Sequence, residues 1–150
     1  MLYTDFVLFR PDRRLVAAVQ ANGQFNTSAQ WAAEFRRNLL VRGGIPPLEY
    51  FLIVTPDTVY LWKDSDVEPV VRLPNAVIPA RPHLARYVDG TRVRLETVDP
   101  TIFKMIVEFW LSDLGYPVSE AAEIALANGF DGIGLIEAVR GGKMECKEAA

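Results

Sequence analysis

The sequence predicts an α/β fold in one domain: a mixed sheet of about four strands flanked by helices, with a helical C-terminal third. Two short β-rich runs open the chain, and an amphipathic helical stretch and a nearly continuous apolar run follow them. Helical periodicity then covers most of residues 99–141. We divide the domain into a core at about residues 4–63, a loop region at 64–95 and this helical part.

The first two strands should form a hairpin. Thr4–Phe9 and Leu15–Ala21 are rich in β-branched and aliphatic residues, which is typical of strands. Between them lies the segment Arg10–Arg14, whose proline and aspartate favour a turn.

A helix should follow this hairpin. Thr27 or Ser28 can act as its N-cap, and the helix should run to about Arg42, where Gly43-Gly44 ends it. Its apolar stripe repeats every four residues: Trp31, Phe35 and Leu39.

Two more strands are predicted after this helix. Glu49–Thr55 is almost continuously apolar, which indicates a central strand covered on both faces. Pro56-Asp57 then turns the chain into the alternating segment Thr58–Lys63, so these strands form a second hairpin toward a sheet edge. In the loop region we expect short turns and one short strand at Arg92–Glu96.

The C-terminal part should contain three helices. Asp99, followed by Pro100, and Ser119 are suitable N-caps. The predicted helices span residues 100–114, 120 to about 128, and 134–140. We expect the tail from Lys143 to be frayed, and all three tryptophans to belong to the core.

The composition excludes several classes of protein. Half of the residues are hydrophobic and 23% are charged, which is ordinary for a globular protein. One cysteine and one histidine exclude a zinc site that needs several such ligands. No basic segment precedes an apolar stretch at the N-terminus, and the longest apolar run, Tyr50–Val54, is too short to cross a bilayer. We therefore expect a cytoplasmic protein without membrane contact.

The net charge of −3 is unevenly distributed along the chain. Residues 1–94 carry a net +3, and residues 95–150 carry a net −6. The overall sign argues against a dedicated nucleic-acid binder. The asymmetry fits either a nucleic-acid face or the two sides of one internal interface.

Three polar side chains should converge at one end of the first hairpin. Asp5 lies at the start of the first strand, and Gln20 and Asn22 lie at the end of the second. The latter two are separated by one residue, so they point to the same face. In a hairpin the start of one strand is close to the end of the next, so Asp5 should neighbour both. The alternative interpretation, which we prefer, is a hydrogen-bonded polar cluster at the strand end in which Asn22 starts the loop.

At these residues the chain resembles the PD-(D/E)xK phosphodiesterase superfamily. The similarity covers roughly residues 4–63, and it is closest to the nuclease-like N-terminal domains of type I restriction subunits and their small stand-alone relatives. It implies a restriction endonuclease-like fold. The segments that carry it are TDFVLF from Thr4, LVAAVQAN from Leu15, WAAEFRRNLL from Trp31, FLIVTPD from Phe51 and YLW from Tyr60.

The resemblance also assigns roles to the three polar residues. Asp5 matches the first acidic residue of the family, and the (D/E)-x-K motif falls on Gln20-Ala21-Asn22. The chemistry needs two carboxylates to hold Mg²⁺ and a lysine to orient or deprotonate the attacking water. Gln20 lacks the charge of a carboxylate, and Asn22 cannot act as a base. The resemblance therefore implies a degenerate, catalytically inactive site, for which we expect no cofactor.

An active enzyme is the alternative. Some nucleases of this fold take the second carboxylate from the helix, and Glu34 could serve beside Asp5 as a ligand of Mg²⁺ or Mn²⁺. Arg36 or Arg37 would be poor substitutes for the lysine, because arginine does not deprotonate. Related restriction domains carry Gln-x-x-x-Tyr on this helix, where the present chain has Glu34 and Asn38.

Two groups of cations each have two interpretations. Arg36 and Arg37, with the arginines of the first turn, are either nucleic-acid phosphate contacts or solvated side chains. The second group is either a basic loop at a groove or surface charge. For both groups we prefer the interpretation that the side chains are solvated. The members of the second group are Arg81, His83, Arg86, Arg92 and Arg94.

Three functions therefore remain open. The first is an inactive nuclease-like domain that acts as a binding or assembly module, with DNA, a second copy of the chain or another protein as its partner. The second is a metal-dependent nuclease that uses Asp5 and Glu34. The third is a structural scaffold for an unidentified protein.

Overall fold

The computed structural model describes residues 4–43 and 45–146, and it is built around one six-stranded mixed sheet. The strands are β1 (Phe6–Phe9), β2 (Leu15–Ala21), β3 (Leu48–Val54), β4 (Thr58–Ser65), β5 (Ala76–Pro79) and β6 (Met144–Cys146). The helices are α1 (Ala29–Val41), α2 (Arg81–Leu84), α3 (Pro100–Leu114), α4 (Glu120–Ala127) and α5 (Leu135–Val139). The expected α/β class is therefore confirmed.

The strand order is β5-β4-β3-β2-β1-β6, and only β2 and β3 run parallel. Ala17 lies opposite Tyr50 and Ala21 opposite Val54, so the carboxyl ends of these two strands meet at one edge of the sheet. Helix α1 makes the crossover between them, as a parallel connection requires. The hairpin β1–β2 aligns Phe6 with Val19, which places Asp5 beside the end of β2.

Helix α1 covers one face of the sheet. Ser28 is its N-cap, and the Ser28 hydroxyl accepts the Trp31 N–H at 3.0 Å, as predicted. Ala32 and Leu39 of α1 pack in one cluster with Phe51 and Trp62 of the sheet. Gly43 follows the C-cap, whereas Gly44 lies outside the described residues.

The C-terminal helices belong to a second and larger cluster. Asp99 caps α3 by accepting the N–H groups of Thr101 and Ile102, and α3 has the predicted length. Phe103 and Trp110 of α3 pack in this cluster with Leu8 and Leu52 of the sheet. The two clusters thus draw on alternating residues of the same strands, which explains why β3 is apolar on both faces.

Two edge strands correct the predicted count of about four. β5 pairs with β4, and β6 pairs with β1, at the two ends of the sheet. The prediction of a frayed tail was wrong for residues 144–146, which form β6, while residues 147–150 lie outside the described part. The predicted strand Arg92–Glu96 was also wrong, because a 3₁₀ turn at Leu95–Thr97 takes its place. Strands of three or four residues have too short a pattern to be recognised without their partners.

Two of the three tryptophans lie in the core as predicted, and the third is partly exposed. Trp62 and Trp110 are fully buried, and Trp31 is half-buried against Phe35. Across residues 4–43 and 45–146, no helix has both the length and the apolar character needed to span a membrane.

Candidate functional site

Asp5 and Gln20 lie together, as the hairpin geometry predicts. The Asp5 Oδ2 atom accepts the Ala21 N–H at 2.9 Å, which ties the carboxylate to the end of β2. Asp5 and Gln20 border the same pocket of about 260 Å³, which we call the Asp5 pocket. The residues that line it are Thr4, Asp5, Gln20, Phe35, Asn38, Leu39 and Arg42.

The second oxygen of Asp5 is also occupied. Lys104 of α3 places its Nζ atom 3.2 Å from Asp5 Oδ1 and is not among the residues that line the Asp5 pocket. The Asp5 side chain is 19% exposed and that of Lys104 is 41% exposed, so the pair is partly shielded from water. Each carboxylate oxygen therefore already has a partner in the protein, a backbone N–H for Oδ2 and a lysine in an ion pair for Oδ1. Sequence reasoning missed Lys104 because the two residues are far apart in the chain, and its only signal was a lone lysine on a mostly apolar helix.

Gln20 brings an unpaired carbonyl to this site. Its Oε1 atom is buried and has no hydrogen-bond partner among the described residues. An unpaired buried acceptor of this kind costs about 1–3 kcal/mol. From the sequence we expect the (D/E)-x-K motif of the PD-(D/E)xK superfamily, which begins with a metal-binding carboxylate, to fall at this position. The amide keeps an oxygen there but supplies no negative charge.

Asn22 serves the backbone at the end of β2. Its Oδ1 atom accepts the Gln24 N–H at 2.9 Å, and its own N–H donates to the Val54 carbonyl at 2.9 Å. The first contact is an Asx turn, which asparagine forms readily. Asn22 does not line the Asp5 pocket, so the structure does not bring it together with the other two residues.

Glu34 lies outside the Asp5 pocket as well. It is exposed, and its Oε1 atom accepts a hydrogen bond from Gln30 Nε2 at 3.1 Å. Asn38, one helical turn later, does line the pocket. Among the residues that the structure describes, no group of three or more His, Cys, Asp or Glu side chains is placed to hold a metal ion.

Arg36 is buried, so the preferred solvated interpretation was wrong for this residue. Its side chain is 1% exposed, and its guanidinium lies 5.8 Å from the Trp62 ring centre. Nη2 donates to Ser65 Oγ at 3.0 Å and to the Asp66 carbonyl at 3.3 Å. Nε and Nη1 have no partner within the described part of the chain, and burial lowers the pKa of Arg36. The sequence did carry a signal for this burial, because position 36 follows Ala32 by four residues and so lies on the same face of α1.

The remaining predicted cations differ in exposure. Arg37 is half-buried and donates from Nε to Asn38 Oδ1 at 3.1 Å. His83, for which the sequence predicts a surface position, is 1% exposed and packs against Trp110 and Phe130. The solvated interpretation was therefore wrong for His83 too, since it lies in α2 beneath the C-terminal helices.

The hairpin tip holds two ion pairs. Arg10 donates to Glu49, and Arg14 pairs with Asp12 at 2.8 Å. The hydrogen bond from the Arg14 N–H is the main reason that the pKa of Asp12 lies below its usual value. Arg10 and Arg14 are therefore balanced by acids.

Comparison of the chain with protein-family models, with curated proteins and with solved structures gives no match.

Proposed function

We propose that this chain is a non-cleaving, nuclease-like domain that acts as a binding or assembly module. The observation that carries the proposal is the state of Asp5. Its two carboxylate oxygens are held by the Ala21 N–H and by Lys104, in a site where a hydrolytic metal would need them free.

The neighbours of Asp5 support the same function. Gln20 offers a neutral amide where a second anionic ligand is required, and Asn22 uses its side chain in a backbone turn. Lys104 supplies positive charge near Asp5, but it pairs with the carboxylate that a metal would bind. A cation in that place opposes metal binding by electrostatic repulsion.

A plasmid-nicking assay with the wild-type chain tests this function. We expect no nicking above background with Mg²⁺ or Mn²⁺, at any protein concentration that leaves the plasmid soluble. The matched variants are Asp5→Asn and Glu34→Ala, which remove the two carboxylates of the alternative nuclease. Metal-dependent nicking that both variants abolish would replace the proposed function with the active nuclease.

A further inference from the structure

Three cations, Arg10, Arg13 and Lys143, lie near the end of β1 that is opposite to Asp5. The turn of the first hairpin and the segment 141–143 border a groove of about 470 Å³, which we call the tip groove. The residues that line it are Phe9, Arg10, Pro11, Arg13, Gly141, Gly142, Lys143 and Glu145.

Close backbone packing creates the tip groove. A Cβ atom on Gly142 would lie 1.8 Å from the Phe9 carbonyl oxygen, so only glycine permits this approach to β1. The Phe9 N–H donates to the Lys143 carbonyl at 2.8 Å, which fixes Lys143 beside the end of β1. Two segments that are distant in sequence thereby bring their cations to one place.

Arg13 occupies a backbone conformation that glycine would adopt more easily. Its φ angle is +71°, in the left-handed region. Hydrogen bonds from Arg10 N–H to the Arg14 carbonyl and from Arg13 N–H to the Arg10 carbonyl close the turn around it. Turns of this length usually place Gly or Asn at the left-handed position. An arginine kept there at a conformational cost points to a use for its side chain.

The cations of the tip groove are unequally neutralised. Arg10 is paired with Glu49. Within residues 4–43 and 45–146, neither Arg13 nor Lys143 forms an ion pair. Glu145 is the carboxylate that lines the groove. Two cations at this rim are therefore available to an anionic ligand.

The tip groove also offers apolar surface between its charges. Phe9 lines the groove, although part of its side chain packs against the cluster beneath α1, and Pro11 is exposed at the turn. Proteins that hold single-stranded nucleic acids combine cations that follow the phosphates with apolar or aromatic side chains beneath the bases. Guanidinium groups suit phosphate because they can donate two hydrogen bonds in parallel.

We propose that the tip groove binds the backbone of a single-stranded nucleic acid. Arg13 and Lys143 contact phosphates, and Phe9 and Pro11 support a base or sugar between them. This binding site goes beyond the proposed function, because it does not depend on Asp5 at the other end of β1. Metal-dependent plasmid nicking would overturn the proposed function without affecting the proposal for the tip groove. Failure to bind single strands would overturn the proposal for the tip groove without affecting the proposed function.

Fluorescence anisotropy with a labelled oligothymidylate and the full chain tests the proposal. We expect binding at low salt. For two phosphate contacts to a single strand, the logarithm of the association constant should fall with the logarithm of salt concentration with a slope of about −1.4. The variant Arg13→Gly/Lys143→Gln should weaken binding by about tenfold or more. The matched control Arg92→Gln/Arg94→Gln removes the same charge from another exposed loop, and it should change affinity by less than about threefold.

Glycine suits the left-handed position of Arg13, so the first variant should keep its fold, and circular dichroism checks this. Three results would overturn the proposal. They are no wild-type binding at low salt, equal losses in the two variants, and stronger competition by polyglutamate or by duplex DNA than by unlabelled single strand.

Discussion

Replacing Asp5 with asparagine should destabilise the protein, if Asp5 is held for structure as its contacts indicate. Asparagine keeps one oxygen that can accept the Ala21 N–H, now at 2.9 Å from Oδ2. It replaces the other oxygen with an amide group that cannot pair with Lys104. The substitution preserves the shape of the side chain, removes its charge and turns one acceptor into a donor that faces Lys104.

The size of the loss follows from these two contacts. A hydrogen bond from a backbone N–H to a charged group contributes about 1.5–3 kcal/mol, against about 1 kcal/mol for a neutral acceptor. The pair with Lys104 adds between about 0 and 1 kcal/mol, because the lysine side chain is 41% exposed and the interaction is screened by solvent. We therefore expect Asp5→Asn to lower the free energy of unfolding by about 1–2 kcal/mol.

Urea unfolding followed by tryptophan fluorescence measures this change, with Lys104→Gln and the double variant completing a mutant cycle. The cycle should give a coupling energy of about 0.5 kcal/mol between the two side chains. A catalytic carboxylate is often retained at the expense of stability, so neutralising it tends to stabilise the fold. An Asp5→Asn variant as stable as the wild type, or more stable, would therefore refute the structural role.

Three further predictions concern residues away from Asp5. Gly142→Ala should destabilise the fold by about 3 kcal/mol in urea unfolding, because its Cβ would meet the Phe9 carbonyl oxygen at 1.8 Å. Gly141→Ala, whose nearest neighbour is a side-chain atom at 3.5 Å, should cost only about 1 kcal/mol for its φ of +75°, and equal losses would contradict the packing of β6. Burial lowers the pKa of His83, so the unfolded state binds the proton more readily than the folded state. The free energy of unfolding should therefore fall as pH drops below about 6.5, and His83→Gln should remove this pH dependence. An unchanged slope in that variant would exclude His83 as the cause. Arg36→Met should leave stability unchanged or raise it by about 1–2 kcal/mol, since two nitrogens of the buried guanidinium lack partners, and a large loss would show that the charge is stabilising.

Local sequence signals predicted the first half of the fold well. Strand β2 has the predicted bounds, and α1 begins after its predicted cap Ser28. The same holds for α3 and for α4, whose caps Asp99 and Ser119 were both identified. Capping and periodicity are properties of neighbouring residues, so they can be recognised without the tertiary structure.

Features that depend on distant residues could not be predicted. The short strand β6 forms because Gly142 allows the chain to approach β1, and the sequence pattern of three residues does not indicate it. Lys104 meets Asp5 only after α3 has packed on the sheet. Arg36 was expected at the surface from its charge, although its helical phase places it with the buried stripe. At the candidate site, Asp5 and Gln20 border one pocket, as hairpin geometry predicts, whereas Asn22 lies outside this pocket and starts the loop, as the alternative interpretation had it.

Titration calorimetry with Mn²⁺ tests the central claim, a nuclease-like site that cannot hold its metal, most directly. We expect no binding by the wild type up to about 1 mM Mn²⁺. We expect binding by Gln20→Glu/Asn22→Lys/Lys104→Gln, in which a second carboxylate stands beside Asp5 and the cation that pairs with Asp5 is removed. Mn²⁺ binding by the wild type that Glu34→Ala abolishes would contradict the claim and favour an active nuclease. Failure of this triple variant to bind would contradict the resemblance on which the site assignment rests.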